Sequence, residues 1–384
     1  MQRGRILAGV YCGFLTFAAF CSSEKAATAE TTGAGSTTPE FVFATALTQG
    51  NGNPNESLLL FEKSATSCTL THLNTYTVGP DPYDLVYHAA TKTLYVANAY
   101  NGTINAFKFN PTTKQLTSAG TVTQTGPGSP GTPPTTYMMS VHANGFLYAA
   151  DGQTAGTIGY FTQDQTTGSL TQFSAPNEYL NAATQIWFTA LAGNHLYVTD
   201  YNSAVIRQYS INPTTGLLTA LAPATIGAPT NPWSMFVHSS GNFVYATGSS
   251  GTGSVAQYSR NATTGLLTQI AAPVAAGSRT IGIAVGTNYL YAAGNTANAI
   301  YRFSIDQSTG ELTALAPASI APQRVRPYGM ALSRDEKCLY TAELGDDTGT
   351  ASDIIATYNL TGGLPTYSGQ SYTITGPRFL TIGY

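Results

Sequence analysis

The chain has 384 residues, of which only 9% are charged, 16 basic and 19 acidic, for a net charge of −3. With no basic run, it lacks the clustered Lys and Arg that phosphate neutralisation requires, which excludes a nucleic-acid partner. Hydrophobic residues make up 42% of the chain, enough for a large core, and the polarity comes from Thr, Ser, Asn, Gln and Gly, which suits strands and turns better than solvated helices.

In chain order, Arg3 and Arg5 precede an apolar run over residues 6–20. That run is short for a membrane span and reads as a signal peptide over residues 1–20. Cys21 follows it and resembles the lipid-attachment cysteine of a bacterial lipoprotein, while "ATA" at 27–29 offers a later cleavage site. Both readings predict export, either to the cell envelope (outer membrane or periplasm) on a lipid anchor or as a secreted protein. Residues 21–40 are small and polar with no apolar period and read as a flexible tether. Contact with a membrane is expected only through that anchor.

From residue 41 onward the chain repeats itself, the signature of a solenoid, array or propeller. An anchor, usually "LY", stands at Val42, Leu94, Leu147, Leu196, Val244, Leu290 and Leu339. Each unit reads as four strand-like pieces. Piece a is an apolar run before the anchor, such as "DLVYH" at 84–88, and piece b is the anchor itself. Piece c ends in an aromatic (Phe61, Phe107, Phe161, Tyr209, Tyr258, Phe303 or Tyr358), and piece d opens on "LT". Between c and d, "NPTTG", "NATTG" or "DQSTG" supplies an Asx residue and a Gly, the chemistry of a tight hairpin loop. Lys114 and Cys68 take the Gly place in two copies.

Four antiparallel strands repeated seven times predict an all-β, seven-bladed β-propeller as a single domain over residues 41–384. The last piece, "GPRFLTIGY" at 376–384, is a piece a with no b after it, and the first unit lacks a piece a. The C-terminal strand is therefore expected to join blade 1 and close the ring. Of four cysteines, Cys68 and Cys338 remain in the propeller. They fall on the same face of blades 1 and 7, but an outer turn against an inner strand favours two separate thiols over a bridge.

Function is expected where the copies differ. Starts of a and ends of b share one rim of the central channel. The starts carry Tyr83, Tyr137, Gln185, Trp233, Arg279, Tyr328 and Arg378, and the ends of b carry Asn98, Asp151, Asp200 and Glu343. Aromatic faces suit sugar rings, and arginine forks suit carboxylate or phosphate. The competing reading packs the aromatics into the blades and uses the Asp and Asn as caps of the following loops. His88, His142 and His238 end piece a before turns at the opposite face and are expected to line those turns. Asp151 and Asp200 lack any EF-hand spacing. No phosphate loop, CxxC pair or nucleophile elbow occurs, so no metal and no cofactor are expected.

The pattern "LYVAN…GTI…F…NPTTG.LT" resembles the lactonase-type seven-bladed propellers, a family that includes bacterial 6-phosphogluconolactonase and fungal carboxymuconate cyclase. The resemblance covers residues 41–384. It implies a lactone carboxyl or phosphate held by Arg and His at the rim. "GPRFL" retains Arg378 but places Phe379 where such motifs carry His, and "AEL" at 342–344 retains Glu343. The repeats also resemble the YVTN-type propellers of microbial surface proteins. Three readings follow. In the first, an exported propeller binds a small anionic or sugar-like ligand, or an envelope protein, at the rim without catalysis. In the second, a lactonase opens a sugar-acid lactone, with Arg279 and Arg378 on the anion and Glu343 and Asp200 handling protons. In the third, the ring is a surface interaction module.

Overall fold

The computed structural model describes residues 39–47, 56–125, 135–152, 156–173, 185–345 and 352–384. The signal segment, Cys21 and residues 22–38 of the tether lie outside the described residues. Seven four-stranded antiparallel sheets form in chain order, strands a to d in each. In blade 1, strand a is the C-terminal Pro377–Gly383, paired antiparallel with strand b, Phe41–Ala46. The chain thus closes its own ring, as the unpaired terminal pieces require.

Inner strands are buried on both sides because each sheet packs face to face on its neighbours. Strand b of blade 4, His195–Asp200, has no exposed position. Outer strands alternate between sheet and solvent, as Leu70–Val78 of blade 1 does.

The structure explains why "LY" and the turn Gly recur together. Tyr95, Tyr148, Tyr197 and Tyr245 on strands b of blades 2–5 each donate a hydroxyl hydrogen bond to a turn Gly of the next blade. The acceptors are the carbonyls of Gly168, Gly216, Gly265 and Gly310, at 2.5–2.9 Å. Each such bond contributes ~1 kcal/mol net. The same glycines sit at φ of 73–80°. There a side chain is strained, and a Cβ at Gly216 would meet the Phe146 ring at 2.5 Å. Lys114 takes this left-handed place in blade 2 at φ 56° and bridges to Glu62 of blade 1 at 2.7 Å.

At the closing seam the repeated contact becomes covalent. Cys68 in the c–d turn of blade 1 is bonded to Cys338, the first residue of strand b in blade 7, with Cα atoms 5.4 Å apart. The expectation of two free thiols is corrected here. In the other blades the turn Gly packs on the residue that opens the neighbour's strand b, Gly265 on His195 and Gly310 on Phe243. An outer turn does reach an inner strand, and the two cysteines occupy those paired places.

Candidate functional site at the channel rim

Every inner strand breaks register just inside its start. The shifts lie between Pro82 and Asp84, Thr136 and Met138, Ile186 and Thr189, Pro232 and Met235, Thr280 and Gly282, Pro327 and Met330, and opposite Ala44–Ala46 in blade 1. Such bulges re-aim a side chain, and in blades 2, 3, 4, 5 and 7 they fall on the rim aromatics. Tyr83 packs edge-on against Tyr137 at 4.9 Å. Tyr137 packs on Trp187 at 4.6 Å, and Trp187 stacks on Trp233 at 4.6 Å. The Tyr83 and Tyr328 hydroxyls are 2.6 Å apart, and Phe379 touches both rings. Tyr83, Tyr137, Trp233 and Tyr328 are thus brought together as expected, in a plug across the channel. Tyr83, Trp233 and Tyr328 are 5–8% exposed, and burial raises the Tyr83 phenol, with Tyr328 beside it adding to the shift.

Gln185 and Arg279 are not equivalent to Tyr83. Ile186 pairs with Asp200 and Thr280 with Gly294, as Pro82 pairs with Asn98. The true counterparts of Tyr83 are Trp187 and Ile281, two residues further on. Gln185 and Arg279 belong instead with Asp81, Asn231, Arg326 and Gly376, the residues that lead into strand a. Each carbonyl of this set accepts the N–H of the residue after strand b, for example Tyr201 on Gln185 and Ala99 on Asp81, both at 2.8 Å. Asp81, Asn231, Arg279 and Arg326 adopt φ of 54–57°, an uncommon, strained state for such side chains that clusters at functional sites.

Two cations flank the plug. Half-buried Arg378 lies over the Tyr328 ring at 5.2 Å, and exposed Arg279 lies 6.0 Å from Trp233. Arg378 Nε, Trp187 Nε1 and Trp233 Nε1 are buried without a hydrogen-bond partner. At the same rim Asn98 Oδ1, an acceptor, is also buried without a partner.

The carboxylates divide sharply. Asp200, fully buried, holds Arg207 at 2.7 Å and the Ser203 N–H at 3.1 Å. Asp151 accepts from the Thr135 N–H and hydroxyl, and Asn98 donates to the Thr103 carbonyl and to Asn105. Glu343 is raised by burial, partly offset by its hydrogen bonds, but it accepts from Thr341 and Tyr358 and from the Arg324 N–H, which fixes the 321–326 segment. These residues cap loops, each within its own blade, and the structure does not join Glu343 to Asp200.

Asp81 differs. Its carboxylate has no hydrogen-bond partner among the described residues. It is half-buried, and burial raises its pKa while Arg378 draws it down and Glu56 pushes it up. It also lies close enough to Tyr137 to raise that phenol. Sequence reasoning missed both Asp81 and Trp187. The signal for Asp81 was an acidic residue directly before the strand-a proline.

The histidines line turns, as expected. His88 bonds Thr91, His142 bonds Asn194 and the Asn144 N–H, and His238 bonds Ser240 and the Thr287 carbonyl. Burial lowers His88 to about 4. Among the described residues no group of three His, Cys, Asp or Glu is placed to hold a metal ion.

The family model described as Lactonase, 7-bladed beta-propeller, matches residues 128–383. The chain belongs to this lactonase family. A putative 6-phosphogluconolactonase from Bacteroides fragilis is similar over 91% of this chain and 99% of its own, with TM-score 0.74 and 19% identity. The periplasmic gluconolactonase of Pseudomonas aeruginosa is similar over 90% and 99%, with TM-score 0.71 and 17% identity. At such identities these likenesses establish the lactonase propeller fold alone. No curated protein sequence matches the chain significantly.

Proposed function

We propose that this lactonase-family propeller is an exported hydrolase that opens a sugar-acid lactone at the aromatic end of its channel. The observation that carries the reading is Asp81, a half-buried carboxylate without a hydrogen-bond partner, close to Arg378. Family membership favours hydrolysis over a binding platform without catalysis.

In this scheme a water molecule attacks the lactone carbonyl carbon and gives its proton to ionised Asp81. The carbonyl electrons move onto oxygen, and Arg378 holds the oxyanion. Collapse breaks the bond to the ring oxygen, which takes the proton back from Asp81 and leaves the open hydroxy acid. General-base action of this kind contributes ~10²–10⁴-fold, and an oxyanion donor ~10²–10³-fold. The aromatic plug offers the apolar floor, and Trp187, Trp233 and Arg279 the donors that orient the substrate. The Cys68–Cys338 bridge supports export, since disulfides persist in oxidising compartments.

The test is hydrolysis of a panel of aldonic and dicarboxylic acid lactones by purified residues 31–384, alongside Arg378→Ala. Turnover above the spontaneous rate that falls about 10²-fold with Arg378→Ala is expected. No turnover on any lactone would return the protein to the binding reading, and turnover indifferent to Arg378 would move the site elsewhere.

A further inference from the structure

The plug holds three tyrosines whose hydroxyls are used differently. Those of Tyr83 and Tyr328 hydrogen-bond each other at 2.6 Å. The strand-b tyrosines of blades 2–5 give theirs to turn carbonyls of the next blade. The Tyr137 hydroxyl has no hydrogen-bond partner among the described residues, although its ring is held on several sides.

That ring is fixed by its neighbours. Tyr83 meets it edge-on at 4.9 Å, and Trp187 lies against it at 4.6 Å. It also rests on Gly152, the residue after strand b of blade 3, where a Cβ would run into the ring. The other blades carry Leu47, Ala99, Tyr201, Ser249, Asn295 and Leu344 at that place. Gly152 does not adopt the left-handed φ that calls for a glycine, so the missing side chain serves the ring rather than the turn. Tyr137 is half-buried, and its clamped ring leaves in a defined place a hydroxyl that the fold itself does not use.

The group beside that hydroxyl is the proposed base. Asp81 stands two residues before Tyr83, whose ring touches Tyr137. Burial raises the Tyr137 phenol most, Asp81 next, and Tyr328 and Asp151 add to the shift. The phenol therefore stays protonated at neutral pH, a hydrogen-bond donor next to a carboxylate.

We propose that Tyr137 is a further catalytic residue, the acid that protonates the departing ring oxygen; this rests on the hydrolase reading above. An alkoxide expelled from a lactone has nearly the proton affinity of hydroxide, pKa about 16, and leaves poorly without a proton. As the bond from the carbonyl carbon to the ring oxygen breaks, its electron pair goes to that oxygen, which takes the Tyr137 proton. The phenolate takes in turn the proton that Asp81 accepted from the attacking water. The return of that proton thus runs through the phenol. One water is consumed, one hydroxy acid forms, and both side chains are restored.

The experiment compares two substrates that differ in one atom: the best lactone of the panel and its thiolactone, with sulfur in place of the ring oxygen. A thiolate, pKa ~8.5, leaves without a proton. Steady-state kinetics are measured on the wild type, Tyr137→Phe and Asp81→Asn. Tyr137→Phe keeps the ring and its packing. It is expected to lose about 10²-fold in kcat on the lactone and only a few-fold on the thiolactone, with melting temperature unchanged. Asp81→Asn lacks the base for water and should lose alike on both. Equal loss on the two substrates in Tyr137→Phe, or no loss on the lactone, overturns the proposal while the hydrolase reading stands. No turnover of either substrate by the wild type overturns the hydrolase reading and this proposal with it.

Discussion

The two ends of the channel are built from the same seven inner strands yet are put together differently. At the aromatic end, bulges turn Tyr83, Tyr137, Trp187, Trp233 and Tyr328 inward, and Arg378 Nε, two indole N–H groups and Asn98 Oδ1 are buried without a partner, beside the half-buried Asp81 carboxylate. At the other end the a–b turns are tight and the histidines are locked into them. The seam bridge and the inter-blade tyrosines also gather at this second end. Rigidity and chemistry are thus largely separated along the strand: among the described residues, six of the nine non-glycine residues with positive φ lie at the varying end, against Lys92, Lys114 and Glu336 at the end that staples blades together.

That contrast can be broken by substitution. Asp81→Asn should lower lactone turnover by ~10²–10⁴-fold with little change in melting temperature, read by steady-state kinetics and a thermal scan. Because burial holds the Asp81 pKa above the ordinary aspartate value, the wild-type rate should climb with pH through that raised pKa. A rate that is flat across that limb would contradict the base. Replacing both seam cysteines by Ser should act in the opposite sense, destabilising by ~2–5 kcal/mol while leaving the rate below the transition unchanged.

A smaller effect belongs to Glu40, whose Oε1 accepts the Arg334 N–H at 3.2 Å near the seam. Burial raises its pKa to about 7, against the pull of Lys63. The folded state therefore holds this proton more tightly than the unfolded chain. Its contribution to stability is present below the ordinary glutamate range and is lost as pH rises from there to about 7. Glu40→Gln should flatten that fall and raise the melting temperature at pH 8 by ~2–4 °C. Smallest is Trp187→Phe, which keeps the stack but deletes one indole N–H. It should raise KM a few-fold with kcat nearly unchanged.

The fold was legible because physics repeats with the sequence. The Asx–Gly turn and the "LY" tyrosine are two halves of one inter-blade hydrogen bond, and a terminal piece a without a b has one place to go. The site was legible only in part. Tyr83, Trp233, Tyr328 and Arg378 each follow a proline that marks the start of strand a, whereas Thr136, Ile186 and Thr280 stand at that place in blades 3, 4 and 6. Gln185 and Arg279 were consequently set two residues early. Asp200 and Glu343 read as rim carboxylates because composition does not reveal that Arg207 and Tyr358 take them up within their own blades. The bridge stayed hidden for a similar reason: that a c–d turn touches the next blade's strand b is a fact of the assembled ring.

One comparison tests the two ends most directly: lactone hydrolysis by the wild type, Asp81→Asn and the seam variant with Cys68→Ser and Cys338→Ser, measured side by side on the best lactone of the panel. Asp81→Asn is expected to fall by ~10²-fold or more while the seam variant keeps the wild-type rate below its transition. Full activity in Asp81→Asn would contradict Asp81 as the base and move the chemistry elsewhere.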